Sequence, residues 1–212
     1  MSETHARTSS SELLVDFIVS LDGYASAEGW PGWWGLEGPE YLGWLEAQPE
    51  AAYTVLMGAN TYRVMSGLAA GLATPGAEEP TAEQESVGGL ARAPKIVFSS
   101  TLGAAPSWPN TRLVREDAVE AVAEMKRTGA VGPMRTIGSL ALCRSLLTAG
   151  LVDRFRLVVF PVITGRTGRE RIYDGYPDVA LDLVGSRTFD GQLQLLEYVP
   201  TVLTSPPGTP AA

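Results

Sequence analysis

The side chains available for chemistry in this sequence are carboxylates and hydroxyls rather than histidine or cysteine. The only histidine, His5, lies in a polar amino-terminal stretch, so neither a Ser-His-Asp nor a Cys-His triad can be assembled. A histidine-based zinc site is excluded for the same reason, and no cysteine cluster replaces it. The single cysteine, Cys143, has no histidine to activate it and is interpreted as a packed thiol. Catalysis must therefore use carboxylates, hydroxyls, backbone groups or a cofactor.

A turn at Gly138-Ser139 offers the clearest binding chemistry. The run from Met134 to Ile137 predicts a buried strand, and leucines at helical spacing then continue to Gly150. Glycine removes the Cβ that would block a ligand, and Ser139 is predicted to cap the helix. Because the first N–H groups of such a helix point outward, the turn predicts an anion site. An ordinary strand-to-helix connection without a ligand is the alternative interpretation.

Alternating strands and helices are expected to position this turn. The predicted strands cover residues 13–20, 53–57, 95–98, 112–114, 134–137, 155–162, 181–189 and 192–198. The predicted helices cover residues 39–48, 117–128 and 139–149, with another opening at residue 58. Residues 66–94 are expected to form a loop with one short helix near 83–90. The pattern predicts a three-layer α/β/α sandwich whose central sheet is mixed, mostly parallel, and ends in an antiparallel hairpin about Asp190-Gly191.

Length and composition predict one domain over residues 12–200, with a disordered tail at 1–11 and a carboxy-terminal tail at 201–212. The 212-residue chain has a formal net charge of −8, which disfavours nucleic acid and anionic membrane as partners. Its start lacks the apolar core of a signal peptide, and no apolar run is long enough to span a bilayer. A cytoplasmic protein is therefore expected.

Five short motifs follow one another along the chain. They are SLDGY at 20–24, MGxxTY at 57–62, FSST at 98–101, IGS-helix-AGLVD at 137–153 and PVIxG at 161–165. Each motif alone is weak, but their order resembles the C-terminal reductase domain of bacterial riboflavin biosynthesis proteins, within the broad dihydrofolate-reductase-like family. The resemblance covers residues 13–200. It implies an NAD(P)H-dependent oxidoreductase that transfers hydride to a C=N or C=O group of a small heterocycle, and it implies a homodimer.

The resemblance also implies a cofactor site at the ends of these strands. The predicted cofactor-binding residues are Val19, Ser20, Gly58, Ala59, Asn60, Thr61, Ser99, Ser100, Thr101, Ile137, Gly138, Ser139, Leu140 and Ala141. Many relatives carry arginine at the position of Ala59, where it pairs with the 2′-phosphate. NADPH is the expected cofactor and NADH stays open, with Ser99, Ser100 or Arg63 as replacements for that arginine. A plain serine turn is the alternative for the hydroxyl run.

The substrate end is expected near a tryptophan-rich loop. By resemblance, the predicted pocket residues are Asp22, Trp30, Trp33, Trp34, Tyr41 and Arg166. The loop at 25–38 is predicted to close over the nicotinamide, and an Ω-loop packed on its own core is the alternative. The position of the substrate-binding carboxylate in folate-reducing relatives falls on Tyr41, so neighbouring Glu40 becomes the candidate catalytic acid. The alternative is that Glu40 complements a helix dipole.

Two further functions fit the same sequence. Because no convincing acid emerges, the chain is also compatible with a nucleotide-binding module without catalysis. A flavin or antifolate-like ligand held by the tryptophan loop is the other alternative. The reductase interpretation needs a small-molecule substrate, and its chemistry requires no metal, since the cofactor supplies the electrons.

Overall fold

The described chain alternates strands and helices, as the sequence predicts. The computed structural model describes residues 11–29, 34–72, 89–103 and 106–205. Within these ranges the strands are β1 (Leu13–Ser20), β2 (Tyr24–Ala27), β3 (Thr54–Gly58), β4 (Lys95–Phe98), β5 (Thr111–Val114), β6 (Met134–Thr136), β7 (Arg154–Phe160), β8 (Gly168–Arg171), β9 (Val179–Phe189) and β10 (Leu193–Val202). The α-helices are α1 (Pro39–Ala47), α2 (Ala59–Leu72), α3 (Ala118–Thr128) and α4 (Leu140–Thr148), and short 3-10 turns cover Pro49–Ala52 and Gly165–Thr167.

Eight of these strands form one sheet in the order β5-β4-β3-β6-β1-β7-β10-β9. The strands from β5 to β7 in this order all run parallel, whereas β10 is antiparallel to β7 and to β9. The carboxyl ends of the six parallel strands therefore meet at one edge, where open α/β sheets bind their ligands. The predicted mixed, mostly parallel sheet with a final hairpin is confirmed.

Helices cover both faces of this sheet. Helices α3 and α4 pack on one face in a core that includes Phe17 of β1 and Leu157 of β7. The opposite face carries α1 over an aromatic cluster and α2 over a separate apolar cluster. Between these two clusters run β6 and β1, whose side chains on this face include Arg135 and Asp16. The space between α1 and α2 thus has a polar floor.

A buried ion network forms part of that floor. The guanidinium of Arg156 is 1% exposed, and it donates to both carboxylate oxygens of Asp16 at 3.1 and 2.6 Å. It also donates to the amide oxygen of Gln48 at 2.7 Å, and the carboxylates of Glu50 and Glu197 lie 3.5 Å away. Because these partners come from β1, β10 and the segment after α1, the network fixes α1 against the sheet.

Two local predictions are corrected. Residues 66–72 were expected in a loop, but α2 continues to Leu72, because Met65 and Ala69 pack on the apolar cluster beneath that helix. The segment after β1 was expected as loop only, but β2 pairs with β8 in a two-stranded antiparallel ribbon. Trp30, Trp33, residues 1–10 of the predicted tail and residues 83–88 of the short helix lie outside the described residues. None of the helices in the described ranges combines the length and apolar content that a bilayer span requires.

Candidate functional site

Two helices begin side by side at the carboxyl edge of the sheet. Helix α2 follows β3 and helix α4 follows β6, and these strands are neighbours. The Ser139 hydroxyl accepts the N–H of Gly58 at 2.9 Å and donates to the Thr61 hydroxyl at 2.8 Å. This bridge holds the two helix starts together. Because the first N–H groups of each helix lack intrahelical partners, the pair concentrates donors and positive dipole ends at one place.

The backbone at the α4 start is in the left-handed region. Gly138 has φ +50° and Ser139 has φ +60°. A Cβ on Gly138 would lie 3.3 Å from the Thr61 hydroxyl oxygen, so glycine permits the close approach of the two turns. Ser139 occupies the N-cap position, but its side chain makes no capping bond to its own helix, which corrects that prediction. A non-glycine residue in this conformation costs about 1–2 kcal/mol, and the hydrogen bonds to Gly58 of β3 and Thr61 of α2 offset that cost.

The other residues predicted at these two turns take several positions. Asn60 is exposed and accepts a hydrogen bond from Arg63 at 2.9 Å. Leu140 packs on the core, whereas Ala141 is exposed. The backbone N–H of Ile137 donates to Leu56 within the sheet. The turn residues Gly58, Thr61, Gly138 and Ser139 are thus brought into contact, and Ala59 and Ile137 flank them.

The hydroxyl run after β4 lies two strands from the Ser139 turn. The Ser99 hydroxyl accepts the backbone N–H groups of Thr101 at 3.2 Å and Leu102 at 3.0 Å. Ser100 and Thr101 are exposed. Gly58 and Phe98 are paired in register across β3 and β4, which places Ala59 and Ser99 next to each other at the sheet edge. Ser99 therefore shapes a turn beside the start of α2.

Asp22 connects the turn after β1 to the loop after β7. Its carboxylate accepts the Ser20 hydroxyl at 2.7 Å and the backbone N–H groups of Thr164 at 3.1 Å and Gly165 at 2.9 Å. Burial works against its charge, but these hydrogen bonds outweigh burial and lower the pKa of Asp22 to about 2. Ser20 is 1% exposed and also accepts the N–H of Tyr24, so its hydroxyl is used within the turn. Val19 points into the α3–α4 core, which leaves only its backbone for a ligand.

The Asp22 contacts predict a pH-dependent contribution to stability. The pKa of this carboxyl is about 2 in the folded protein against an ordinary 3.8, so the folded state binds the proton less well. The contribution is present above about pH 4 and is lost as the pH falls towards 2. In urea unfolding at pH 7, Asp22→Asn should have a lower free energy of unfolding than the unaltered protein. This difference between the two proteins should be smaller at pH 3. A difference that is constant between these pH values would contradict the assigned hydrogen bonds.

Glu40 is engaged with the β9–β10 hairpin. The Asp190 carboxylate accepts the N–H groups of Glu40 at 3.0 Å and Tyr41 at 3.1 Å, and the Glu40 carboxylate accepts the N–H of Asp190 at 2.8 Å. This is a reciprocal cap of α1 between residues 150 positions apart. A Cβ on Gly38 would lie 2.2 Å from Asp190, so the hairpin sits tightly against the helix start. The Glu40 carboxylate is therefore engaged in a structural contact with the hairpin.

The remaining pocket residues are divided between core and surface. Tyr41 is 1% exposed and packs against Trp44, Phe160 and Phe189, and burial raises its pKa. Trp34 is 3% exposed in the same aromatic cluster. Arg166 is exposed in the 3-10 turn after β7. Of these three residues, only Arg166 presents its side chain to solvent.

Sequence reasoning missed the polar floor between α1 and α2. Asp16 lies on β1 with 19% of its side chain exposed, in bidentate contact with Arg156. Arg135 on the neighbouring strand β6 pairs with Leu14, two residues before Asp16. Its Nε has no hydrogen-bond partner among the described residues. Burial lowers the pKa of Arg135. The signal was present in the sequence for Asp16, because this carboxylate interrupts the apolar run of β1.

Comparison with known proteins identifies the family. The model of the RibD C-terminal domain matches residues 11–195. This chain belongs to the RibD C-terminal domain family. It is 25% identical over 189 residues to the uncharacterized protein YyaP of Bacillus subtilis strain 168, covering 88% of this chain and 93% of YyaP.

Solved structures of RibD-type and dihydrofolate-reductase-type proteins share the fold. A putative riboflavin biosynthesis protein from Shewanella sp. PV-4 superposes with a TM-score of 0.63 at 17% identity, covering 90% of this chain and 99% of that one. Dihydrofolate reductase from Enterococcus faecalis, in a complex with NADP(H) and RAB-propyl, gives 0.54 at 14% identity and covers 90% and 97%. The fold of this RibD C-terminal domain protein is therefore dihydrofolate-reductase-like.

Proposed function

We propose that this protein is an NAD(P)H-dependent reductase of a small, heterocyclic substrate. The observation that carries the proposal is the pair of helix starts tied together by Ser139, Gly58 and Thr61 at the carboxyl edge of the sheet. Outward N–H groups at a helix start bind phosphate, and here two such starts are adjacent. The dihydrofolate reductase of E. faecalis that shares this fold was solved with NADP(H), which supports the same cofactor class.

The residues at this edge fit a dinucleotide. The turns at Gly58 and Gly138 carry no side chain that blocks access to the helix starts, and the Thr61 hydroxyl proton stays available because Thr61 accepts the bond from Ser139. We assign the pyrophosphate to the N–H groups at 59–61 and 140–142, with Thr61 as an additional donor. When bound, the reduced nicotinamide supplies the hydride, and the protein supplies orientation and a dry site.

The substrate end of the proposed site is the space between α1 and α2. Its floor carries Asp16, a partly exposed carboxylate that Arg156 holds by two hydrogen bonds. Asp16 offers acceptor oxygens to N–H groups of a heterocycle, whereas the Nε of Arg135 on the neighbouring strand, which has no partner among the described residues, is buried. Such a floor suits a ring that carries N–H donors. The proton that accompanies hydride transfer then comes from water, since Glu40 is bound to Asp190.

Direct titration tests the cofactor. NADPH and NADH should each change the tryptophan or dinucleotide fluorescence in a saturable way, within the micromolar to millimolar range usual for such enzymes. Thr61→Ala should weaken binding by about 1 kcal/mol, roughly fivefold, because it removes one hydroxyl donor. Ser145→Ala is the matched control, since the hydroxyl of this exposed serine of α4 bonds, among the described residues, only to the Ala141 carbonyl of its own helix. Absence of binding of both dinucleotides at millimolar concentration would rule out the reductase.

A non-catalytic dinucleotide-binding protein is the second candidate. The specific observation in its favour is that neither residue near the expected acid position has a side chain free to donate a proton. Tyr41 is buried, and Glu40 caps α1 together with Asp190. Measuring NADPH oxidation against a panel of pyrimidine, pterin and simple carbonyl compounds separates the two candidates. Saturable binding without turnover of any compound would favour the binding protein, whereas turnover reduced in Asp16→Asn would favour the reductase.

A further inference from the structure

The long strand β9 forms one edge of the eight-stranded sheet. It comes last in the strand order, and within the described residues it pairs only with β10, so the N–H and C=O groups along its other side lack a strand partner. The strand covers 11 residues, whereas β5 at the opposite edge covers 4. Residues 181–184 and 186–188 of β9 are exposed. This edge is therefore open to another strand.

Exposed apolar side chains are concentrated on the β9–β10 hairpin. In the part of the chain that the structure describes, nine large hydrophobic side chains are exposed, and four of them belong to this hairpin. They are Leu181, Leu183 and Val184 of β9, with exposed fractions of 42%, 58% and 60%, and Val199 of β10, with 41%. Single exposed apolar residues are ordinary in soluble proteins, but a group of them along an open strand edge marks a surface that another chain covers.

A β-bulge places the two charged side chains of β9 on the same face. Residues five apart on a regular strand point to opposite faces. Here the register with β10 shifts within the strand, so Asp182 lies opposite Val199 and Arg187 lies opposite Leu195. Val199 and Leu195 are four residues apart and share a face of β10, and Asp182 and Arg187 therefore share that face too. Neither charged side chain has a salt-bridge partner among the described residues.

This arrangement makes β9 complementary to a second copy of itself. When two copies pair antiparallel about a two-fold axis at the bulge, Asp182 of each copy lies opposite Arg187 of the other. The same register sets Leu183 opposite Ser186, and these two residues also share a face. Cross-strand pairs must lie on one face of a sheet, so a shift by one residue is excluded, and a shift by two separates the opposite charges. One register therefore satisfies both conditions.

We propose that this protein forms a two-fold symmetric homodimer through β9, in the register that joins Asp182 of one copy to Arg187 of the other. The two eight-stranded sheets then form one continuous sheet, and the open N–H and C=O groups of both edges gain partners. Symmetry repeats the Asp182 to Arg187 pair, which favours a second copy over a chain of different sequence. The inference does not depend on the proposed function, because β9 lies at the far edge of the sheet from β3 and β6.

Exchange of the two charges tests the register. Sedimentation velocity should show the unaltered protein as a dimer at micromolar concentration. Asp182→Arg and Arg187→Asp should each raise the dimer dissociation constant about tenfold or more, because two attractive pairs become repulsive. The double variant restores both pairs and should return to within about threefold of the unaltered protein. Glu116→Arg is the control, since it makes the same change of charge at an exposed residue after β5, at the opposite edge.

Cysteine substitution gives a second measurement of the same register. Asp182→Cys combined with Arg187→Cys should form an intermolecular disulfide on mild oxidation, since directly opposite residues have Cα atoms about 4.5–5.5 Å apart. Either substitution alone should form none, because each residue and its symmetry mate are then offset by five residues, or about 17 Å along the strands. Cys143 is 0% exposed and does not compete.

Three outcomes would overturn the inference. The first is an unaltered protein that stays monomeric throughout the micromolar range. The second is a dimer that neither single charge exchange weakens, since its copies would then meet through another surface or register. The third is a double exchange that fails to restore the dimer, together with no cross-link in the cysteine pair. Dinucleotide binding is measured separately on the same proteins, so each of these results leaves the proposed function standing.

Discussion

Arg156→Ala is expected to lower the free energy of unfolding by about 3–5 kcal/mol. Burial disfavours the charged guanidinium, yet Asp16, Glu50 and Glu197 outweigh burial and raise the pKa of Arg156 above its ordinary value. Removing the arginine leaves these carboxylates close together, in a region where Glu50 is only 5% exposed. It also removes the cation that stacks 4.9 Å from the centre of the Trp44 ring. The network thus loses its central positive charge.

Urea unfolding with tryptophan fluorescence measures this loss. Arg127→Ala is the control, because this exposed arginine also makes a bidentate pair, with Glu124, and its removal should change stability little. A double variant that combines Asp16→Asn with Arg156→Met removes one orphaned carboxylate and restores apolar volume. Its loss of unfolding free energy should be smaller than the summed losses of the single variants Asp16→Asn and Arg156→Met, since contacting residues are coupled. Similar urea midpoints for Arg156→Ala and Arg127→Ala would contradict the burial and pairing described here.

Ser139→Asp is expected to abolish dinucleotide binding while leaving the protein folded. The substitution places a carboxylate at the junction of two helix starts, where the N–H of Gly58 can bond to it. Aspartate also tolerates the left-handed backbone that Ser139 adopts, with φ +60°. An anionic phosphate about 4 Å away would be repelled by roughly 3–4 kcal/mol at an effective dielectric constant of about 20, which corresponds to more than a hundredfold in affinity.

Ser139→Asn is the matched control for this charge effect. Asparagine has the same shape as aspartate, tolerates the same backbone conformation, and carries no charge. Thermal unfolding should therefore show both variants folded, while titration with NADPH shows binding for asparagine and little for aspartate. Equal NADPH affinity in the two variants would contradict the assignment of the pyrophosphate to the α2–α4 junction. Such a result would leave the fold intact and remove the main support for the reductase.

The two predictions concern different parts of the molecule. Arg156 lies on the floor between α1 and α2, whereas Ser139 lies at the carboxyl edge between β3 and β6. Arg156→Ala should reduce stability first, and Ser139→Asp should reduce binding first. The contrast between stability and affinity across the two variants therefore checks the assignment of scaffold and site independently of any substrate.

Local sequence features determined most of the elements correctly. The apolar run of β1 was predicted with both of its ends, at Leu13 and Ser20. Helix α3 was predicted over residues 117–128 and covers Ala118–Thr128, with Asp117 as its N-cap and Gly129, at φ +66°, as its C-cap. The final turn at Asp190-Gly191 has positive φ at both residues, as the hairpin signal requires. These features depend on the backbone preferences and burial of neighbouring residues, so they can be read from a short window of sequence.

The contacts that give these elements a site were decided by the tertiary structure. Asp16 and Arg156 are 140 residues apart, and Glu40 and Asp190 are 150 apart, so no periodicity links them. Ser139 was predicted as a cap for its own helix, but the neighbouring strand β3 places Gly58 and Thr61 within reach of its hydroxyl. The sequence by itself determined the order of most elements and the family resemblance. Which polar groups meet depended on strand order and register, because those alone set the distances between residues remote in the chain.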